Sequence, residues 1–128
     1  MNSALISDLQ RFANHPGVTI SEAAEDVQLR IERPGLSVSL VIPKSVLEFF
    51  VDVHDAGGAR LIQDWLDYAG YDETPESQLA EEMRAEVLTF IGRLVQRELR
   101  LARGGRCLEW QSGERWVQAV PYVPEARA

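Results

Sequence analysis

Two histidines, one cysteine and a surplus of carboxylates are the residues of this chain that could do chemistry. His54 stands in Asp52-Val53-His54-Asp55, an arrangement that could hold a metal or let a carboxylate orient an imidazole base. No second histidine lies at helical spacing in the manner of H-E-x-x-H, so a partly buried structural histidine is the simpler assignment. His15 precedes Pro16 and reads as a turn residue. Cys107 follows Arg106, whose charge could lower a thiol pKa, but a cysteine in an apolar strand is ordinarily a small core residue. Nucleophile-elbow, phosphate-loop, dinucleotide, paired C-x-x-C and EF-hand patterns are absent. Carboxylates are so numerous that no pair is singled out as general acid and base. The inventory points away from catalysis, and no cofactor or metal is expected.

The elements that must position these residues read as follows. Leu5, Ile6, Leu9, Phe12 and Ala13 form a helical stripe after Ser3, stopped by Asn14-His15-Pro16-Gly17. Val18 and Ile20 indicate a short strand. Val27, Leu29 and Ile31, then Leu36, Val38, Leu40 and Ile42, alternate with polar residues around Arg33-Pro34-Gly35, which predicts an antiparallel hairpin with one buried face. Ser45 and Glu48 resemble a capping box, favouring a helix through Leu47, Phe50, Val51 and His54, with a strand as the competing assignment because Phe49, Val51 and Val53 alternate. After Gly57-Gly58 a helix is predicted to bury Leu61, Ile62, Trp65, Leu66 and Ala69. Thr74-Pro75-Glu76 starts a long helix carrying Leu79, Met83, Val87, Phe90, Ile91, Leu94, Val95 and Leu99 toward Arg103. Over 75–103 it would measure about 43 Å, more than the roughly 36 Å breadth of a compact chain of this size. It must therefore bend near Gly92 or project. Cys107 to Trp110 and Trp116 to Val120 form a second hairpin.

The expected architecture is α+β: one domain over 1–120, with a sheet from the N-terminal and C-terminal hairpins against a layer of helices, and a loose tail over 121–128. The 128 residues suffice for a hydrophobic core, and 45% hydrophobic with 26% charged content is that of a globular chain. One cysteine permits no intrachain disulfide. Met1 to Arg11 lacks the basic start of a signal peptide and no apolar run reaches membrane-spanning length, so a cytoplasmic location is expected.

Charge is the sharpest feature. Between Glu48 and Glu86 lie eleven carboxylates and two bases, whereas the flanking segments nearly balance. Such a field attracts cationic surfaces and repels phosphate, so nucleic acid and anionic membrane are not expected partners. Within it, Asp64-Trp65-Leu66-Asp67-Tyr68-Ala69-Gly70-Tyr71-Asp72-Glu73 interleaves acids with tyrosines, residues suited to anchoring an interface. The candidate partner-binding residues are Arg60, Asp64, Asp67, Tyr68, Tyr71, Asp72, Glu73 and Glu76. Trp65 is expected in the core, Tyr68 at its boundary, and Tyr71 as the anchor.

In size, acidity, cysteine poverty and this acid–tyrosine stretch, the chain resembles the small immunity proteins of bacterial interbacterial toxin systems. The resemblance implies a protein that binds a cognate, basic toxin domain and occludes its active surface. Two other functions stay open. One is an adaptor or secretion chaperone that forms a homodimer through the 75–103 helix. The other is a small enzyme or ligand-binding domain with a pocket near His54, Trp65 and Trp110.

Overall fold

The fold is described from a computed structural model, which defines residues 2–68 and 73–123. A short helix α1 (Ser3–Asp8) runs into a 3-10 turn (Leu9–Phe12). Five strands follow: β1 (Val18–Glu22), β2 (Asp26–Arg33), β3 (Leu36–Pro43), β4 (Glu48–Asp55) and β5 (Arg60–Asp67). They pair in sequence order as an antiparallel meander. Helix α2 (Glu76–Gln96) comes next, then β6 (Leu99–Ala102), β7 (Cys107–Ser112) and β8 (Arg115–Val120), which form a separate three-stranded antiparallel sheet. The architecture is α+β with one long helix, and the two predicted hairpins, β2–β3 and β7–β8, lie in different sheets rather than a shared one.

Alternation explains the first sheet. Val27, Leu29, Ile31, Val38, Leu40, Ile42, Phe49, Val51, Val53 and Ile62 occupy one face and are buried. Against that face α2 lays Met83, Val87, Phe90, Ile91 and Leu94. Each such side chain contributes about 1.5–3 kcal/mol relative to exposure, so the arrangement that buries more of them prevails. This is why the predicted helix around 45–54 is instead β4: a strand places Phe49, Val51 and Val53 all inward, where they are at most 1% exposed. The same logic corrects the helix predicted over Leu61 to Ala69. Pairing with β4 brings Ile62 opposite Val53 and Leu66 opposite Phe49, and Leu61 becomes the extra residue of a β-bulge.

Helix α2 starts where Pro75 predicts, with the Pro75 carbonyl accepting the Gln78 and Leu79 amides at 3.0 and 3.1 Å. It ends seven residues short of Arg103, because Arg97 is already extended and Leu99 and Leu101 pair with Trp110 and Leu108 in β6–β7. Its 21 residues span about 32 Å, so no projection is needed. The guanidinium of Arg84 grips Asp8 at 2.6 and 2.7 Å and ties α2 to α1. Asn2, 3% exposed, donates to the Pro43 and Val46 carbonyls and fixes the chain entry against the β3–β4 connection.

The second sheet joins the same apolar cluster through Leu108, Trp110, Ala119 and Val120. Phe90 is the junction: its ring lies 6.3 Å from Phe49, 5.7 Å from Trp110 and 5.6 Å from Tyr122. No helix among the described residues is long and apolar enough to cross a membrane.

Candidate partner-binding face

Among the described residues the face of the first sheet opposite α2 carries no helix, and its edge at β4–β5 is where exposed apolar surface and carboxylate meet. Because β5 is a strand, Trp65 points away from Ile62 and Leu66 and is 55% exposed, contrary to its expected place in the core. It pairs directly with Phe50, and the two rings lie nearly parallel, 13° apart with centroids 6.5 Å apart. The Tyr68 amide donates to the Leu47 carbonyl. By the alternation of an antiparallel ladder, Phe50 and Trp65 are then a non-hydrogen-bonded pair, in which side chains approach most closely. Val41 continues the apolar row beyond Phe50.

Carboxylates flank that row. On one side Glu48 pairs with Asp67, and Glu48 Oε2 accepts the Trp65 indole N–H at 2.9 Å. On the other side Asp52 lies between Ser39 and Gln63. Its Oδ1 is covered and has no hydrogen-bond partner among the described residues. His54 stands on the same face, opposite Ser37 and Arg60. Asp55 closes the β4–β5 turn by accepting the Gly57 and Ala59 amides, each at 2.9 Å.

The sequence-predicted residues divide between this face, the approach to α2 and the interior. Arg60 and Asp67 are exposed on β5, and Glu73 and Glu76 are exposed at the approach to α2 and in its first turn. Asp64 faces the other way. Its Oδ1 accepts the Trp65 amide at 3.0 Å and its Oδ2 accepts the Tyr122 amide at 2.7 Å, so it ties the β5 edge to the segment after β8. Tyr68 is half-buried, packs on Phe49 with ring centroids 6.2 Å apart, and donates its hydroxyl hydrogen bond to Glu86. Tyr71 and Asp72 lie outside the described residues.

The acidic segment therefore does not form one surface. Glu48, Asp52 and Asp67 belong to the open sheet face, while Glu76, Glu81, Glu82 and Glu86 ride on α2 across the core from it. Three of the helix acids have partners within the chain: Glu81 faces Arg84 at 3.4 Å, Glu82 faces Gln78 at 3.4 Å, and Glu86 accepts from Tyr68. Arginines at and just beyond the C-terminal end of α2 meet tryptophan rings. Arg93 and Arg97 stack over Trp110, at 5.9 and 5.7 Å from its ring centre, and Arg100 stacks over Trp116 at 4.2 Å while bonding Glu109 at 2.8 Å.

His54 and Trp65 stand on the open sheet face, but Trp110 is 2% exposed on the far side of the core, so the three do not share a pocket. A cleft of about 430 Å³ lies elsewhere, between the Arg33-Pro34 turn and residues 95–99. Arg33 spends its donors there on the Pro16, Glu32 and Val95 carbonyls, the last at the negative end of α2. No group of three or more His, Cys, Asp or Glu side chains able to hold a metal occurs among the described residues. Cys107 is 3% exposed, and burial pushes its thiol pKa up, away from reactivity. The apolar stripe of α2 is covered by the sheet, leaving Glu81, Glu82, Ala85 and Thr89 exposed.

Compared with protein-family models, curated proteins and solved structures, the chain matches none.

Proposed function

We propose that this chain is a protein-binding module of the immunity type, which neutralises a basic partner by laying the open face of β4–β5 against it. One observation carries the reading: a half-exposed tryptophan, stacked beside Phe50, stands between Glu48 and Asp67 on one side and Asp52 on the other. Aromatic anchors of low conformational freedom supply binding energy, and carboxylates around them speed encounter with a cationic surface and reject anionic ones. Within the expected site, Asp67 fits this role directly and Arg60 lies on the same face, whereas Glu76 rides on α2 across the core from it. Asp64 and Tyr68 support it from behind.

The partner is a cationic protein, and a toxin domain encoded beside this gene is the first candidate. The test is rescue of growth: cells expressing that domain survive with the wild-type chain and die with the Trp65→Ala, Asp67→Lys double variant. Reversal of Glu81 and Glu82 to lysine on α2 leaves rescue intact. Rescue by the double variant at wild-type strength would remove the β4–β5 face from the account.

A further inference from the structure

We propose that Trp65 is a receptor for an arginine side chain of the partner, with Glu48 holding the indole in place and sharing the guanidinium. This rests on the docking reading above and names what that face recognises. The chain treats its three tryptophans differently. Trp110 carries Arg93 and Arg97 over its ring, and Trp116 carries Arg100 at 4.2 Å, with Glu109 bonding the same guanidinium at 2.8 Å. The third, Trp65, has no cation over its ring among the described residues, although it is the one set among carboxylates and the one that is 55% exposed. The Trp116 site is thus a worked example, inside the same molecule, of the arrangement that Trp65 leaves incomplete: indole and carboxylate are present and the guanidinium is missing.

The geometry suits arginine in particular. The Trp65 N–H to Glu48 Oε2 bond fixes the plane of the ring and leaves Glu48 Oε1, which takes no hydrogen bond among the described residues, as an acceptor at its margin. Phe50 lies parallel on the β4 side, so the neighbouring ring restricts the indole to one orientation. Asp52 adds charge from the adjacent row and makes no salt bridge among the described residues. A guanidinium is planar, weakly hydrated and able to stack and donate in its plane at once, whereas an ammonium is a strongly hydrated point charge. A ring with a carboxylate at its edge therefore discriminates between the two.

The test follows the three indole N–H resonances of the ¹⁵N-labelled chain, with that of Trp65 assigned from its loss in Trp65→Phe. The probes are two blocked hexapeptides, one alternating arginine with glycine and the other lysine with glycine, titrated at low salt. The expected result is a saturable shift of the Trp65 resonance with the arginine peptide, at an affinity at least about threefold above the lysine peptide. Glu48→Gln weakens it by a similar factor, and the Trp110 and Trp116 resonances hold still, which also reports an intact fold. Equal response to both peptides, or shifts confined to Trp110 and Trp116, would overturn the proposal. If arginine is ignored while Trp65→Ala, Asp67→Lys still abolishes rescue, the arginine assignment falls and the docking face stands. If neither experiment responds, both fall.

Discussion

Removing the Asp64 carboxylate should destabilise the fold more than removing any solvent-facing acid of the same segment. Its Oδ2 accepts the Tyr122 amide at 2.7 Å and its Oδ1 the Trp65 amide at 3.0 Å. The two bonds are unequal in consequence. Trp65 lies on the outermost strand with its amide toward the open edge, so water replaces the lost acceptor there. Tyr122 packs edge-on against Phe90, and its amide donates in a partly buried setting, so that donor is left poorly satisfied. A hydrogen bond to a charged acceptor contributes about 1.5–3 kcal/mol, and counting the Tyr122 bond alone gives about 2 kcal/mol for Asp64→Ala. For 128 residues the unfolding entropy near the midpoint is about 0.27 kcal/mol/K, so the midpoint should fall by about 7 °C. Asp64→Asn keeps an acceptor but loses its charge and should fall by about half as much. Glu73→Gln, exposed in the same acidic segment, should stay within about 0.5 kcal/mol of wild type. Thermal and urea unfolding followed by circular dichroism measure all three. An Asp64→Ala chain as stable as Glu73→Gln would refute the assignment of this carboxylate to the fold rather than to a partner.

Other outcomes follow from the same contacts. Phe90→Ala should cost about 3–5 kcal/mol, because that ring joins Phe49 of the first sheet to Trp110 and Tyr122 of the second region; denaturant unfolding reads it. Gly17→Ala should be worse than Gly35→Ala by at least about 1 kcal/mol. Both glycines have positive φ, 75° and 81°, but only at Gly17 would a Cβ meet backbone, 2.4 Å from the Glu32 carbonyl oxygen. Cys107 should react with a thiol reagent at least about tenfold more slowly in the native chain than in urea. Because burial raises its folded pKa, the neutral thiol is the stabilised form; its contribution is whole below the unfolded value of 9.0 and is lost as pH rises through the higher folded value. Wild type should therefore lose stability relative to Cys107→Ala above about pH 9, measured as unfolding midpoints across pH.

What the sequence made legible was local. The alternation of Val27 to Ile31 with Leu36 to Ile42 fixes β2–β3 and its register without outside help, and Pro75 sets the start of α2. The segment from Leu61 to Leu66 reads as a helix because its apolar residues fit one side of a helix as well as they fit a bulged strand. Only the partner strand β4 decides, and β4 was itself ambiguous for the same reason. A helical period places Trp65 in the core, whereas the strand period puts it on the opposite side from Ile62, at the surface. The stacking of Arg97 and Arg100 on Trp110 and Trp116 depends on β7 and β8 folding back, which no local pattern encodes. The acidic segment was visible as composition. Its division between an open sheet face and a helix flank was not, because it depends on which side of the sheet α2 covers.

The most direct measurement is the association rate of the basic partner as a function of salt, for wild type and for two charge reversals. With the β4–β5 face in contact, wild-type association slows steeply as salt rises, and Glu48→Lys with Asp67→Lys removes both the fast rate and its salt dependence. Glu81→Lys with Glu82→Lys, on the far side of the core, preserves the salt dependence. The reverse pattern, with the helix reversal abolishing steering and the sheet reversal leaving it unchanged, would contradict the account.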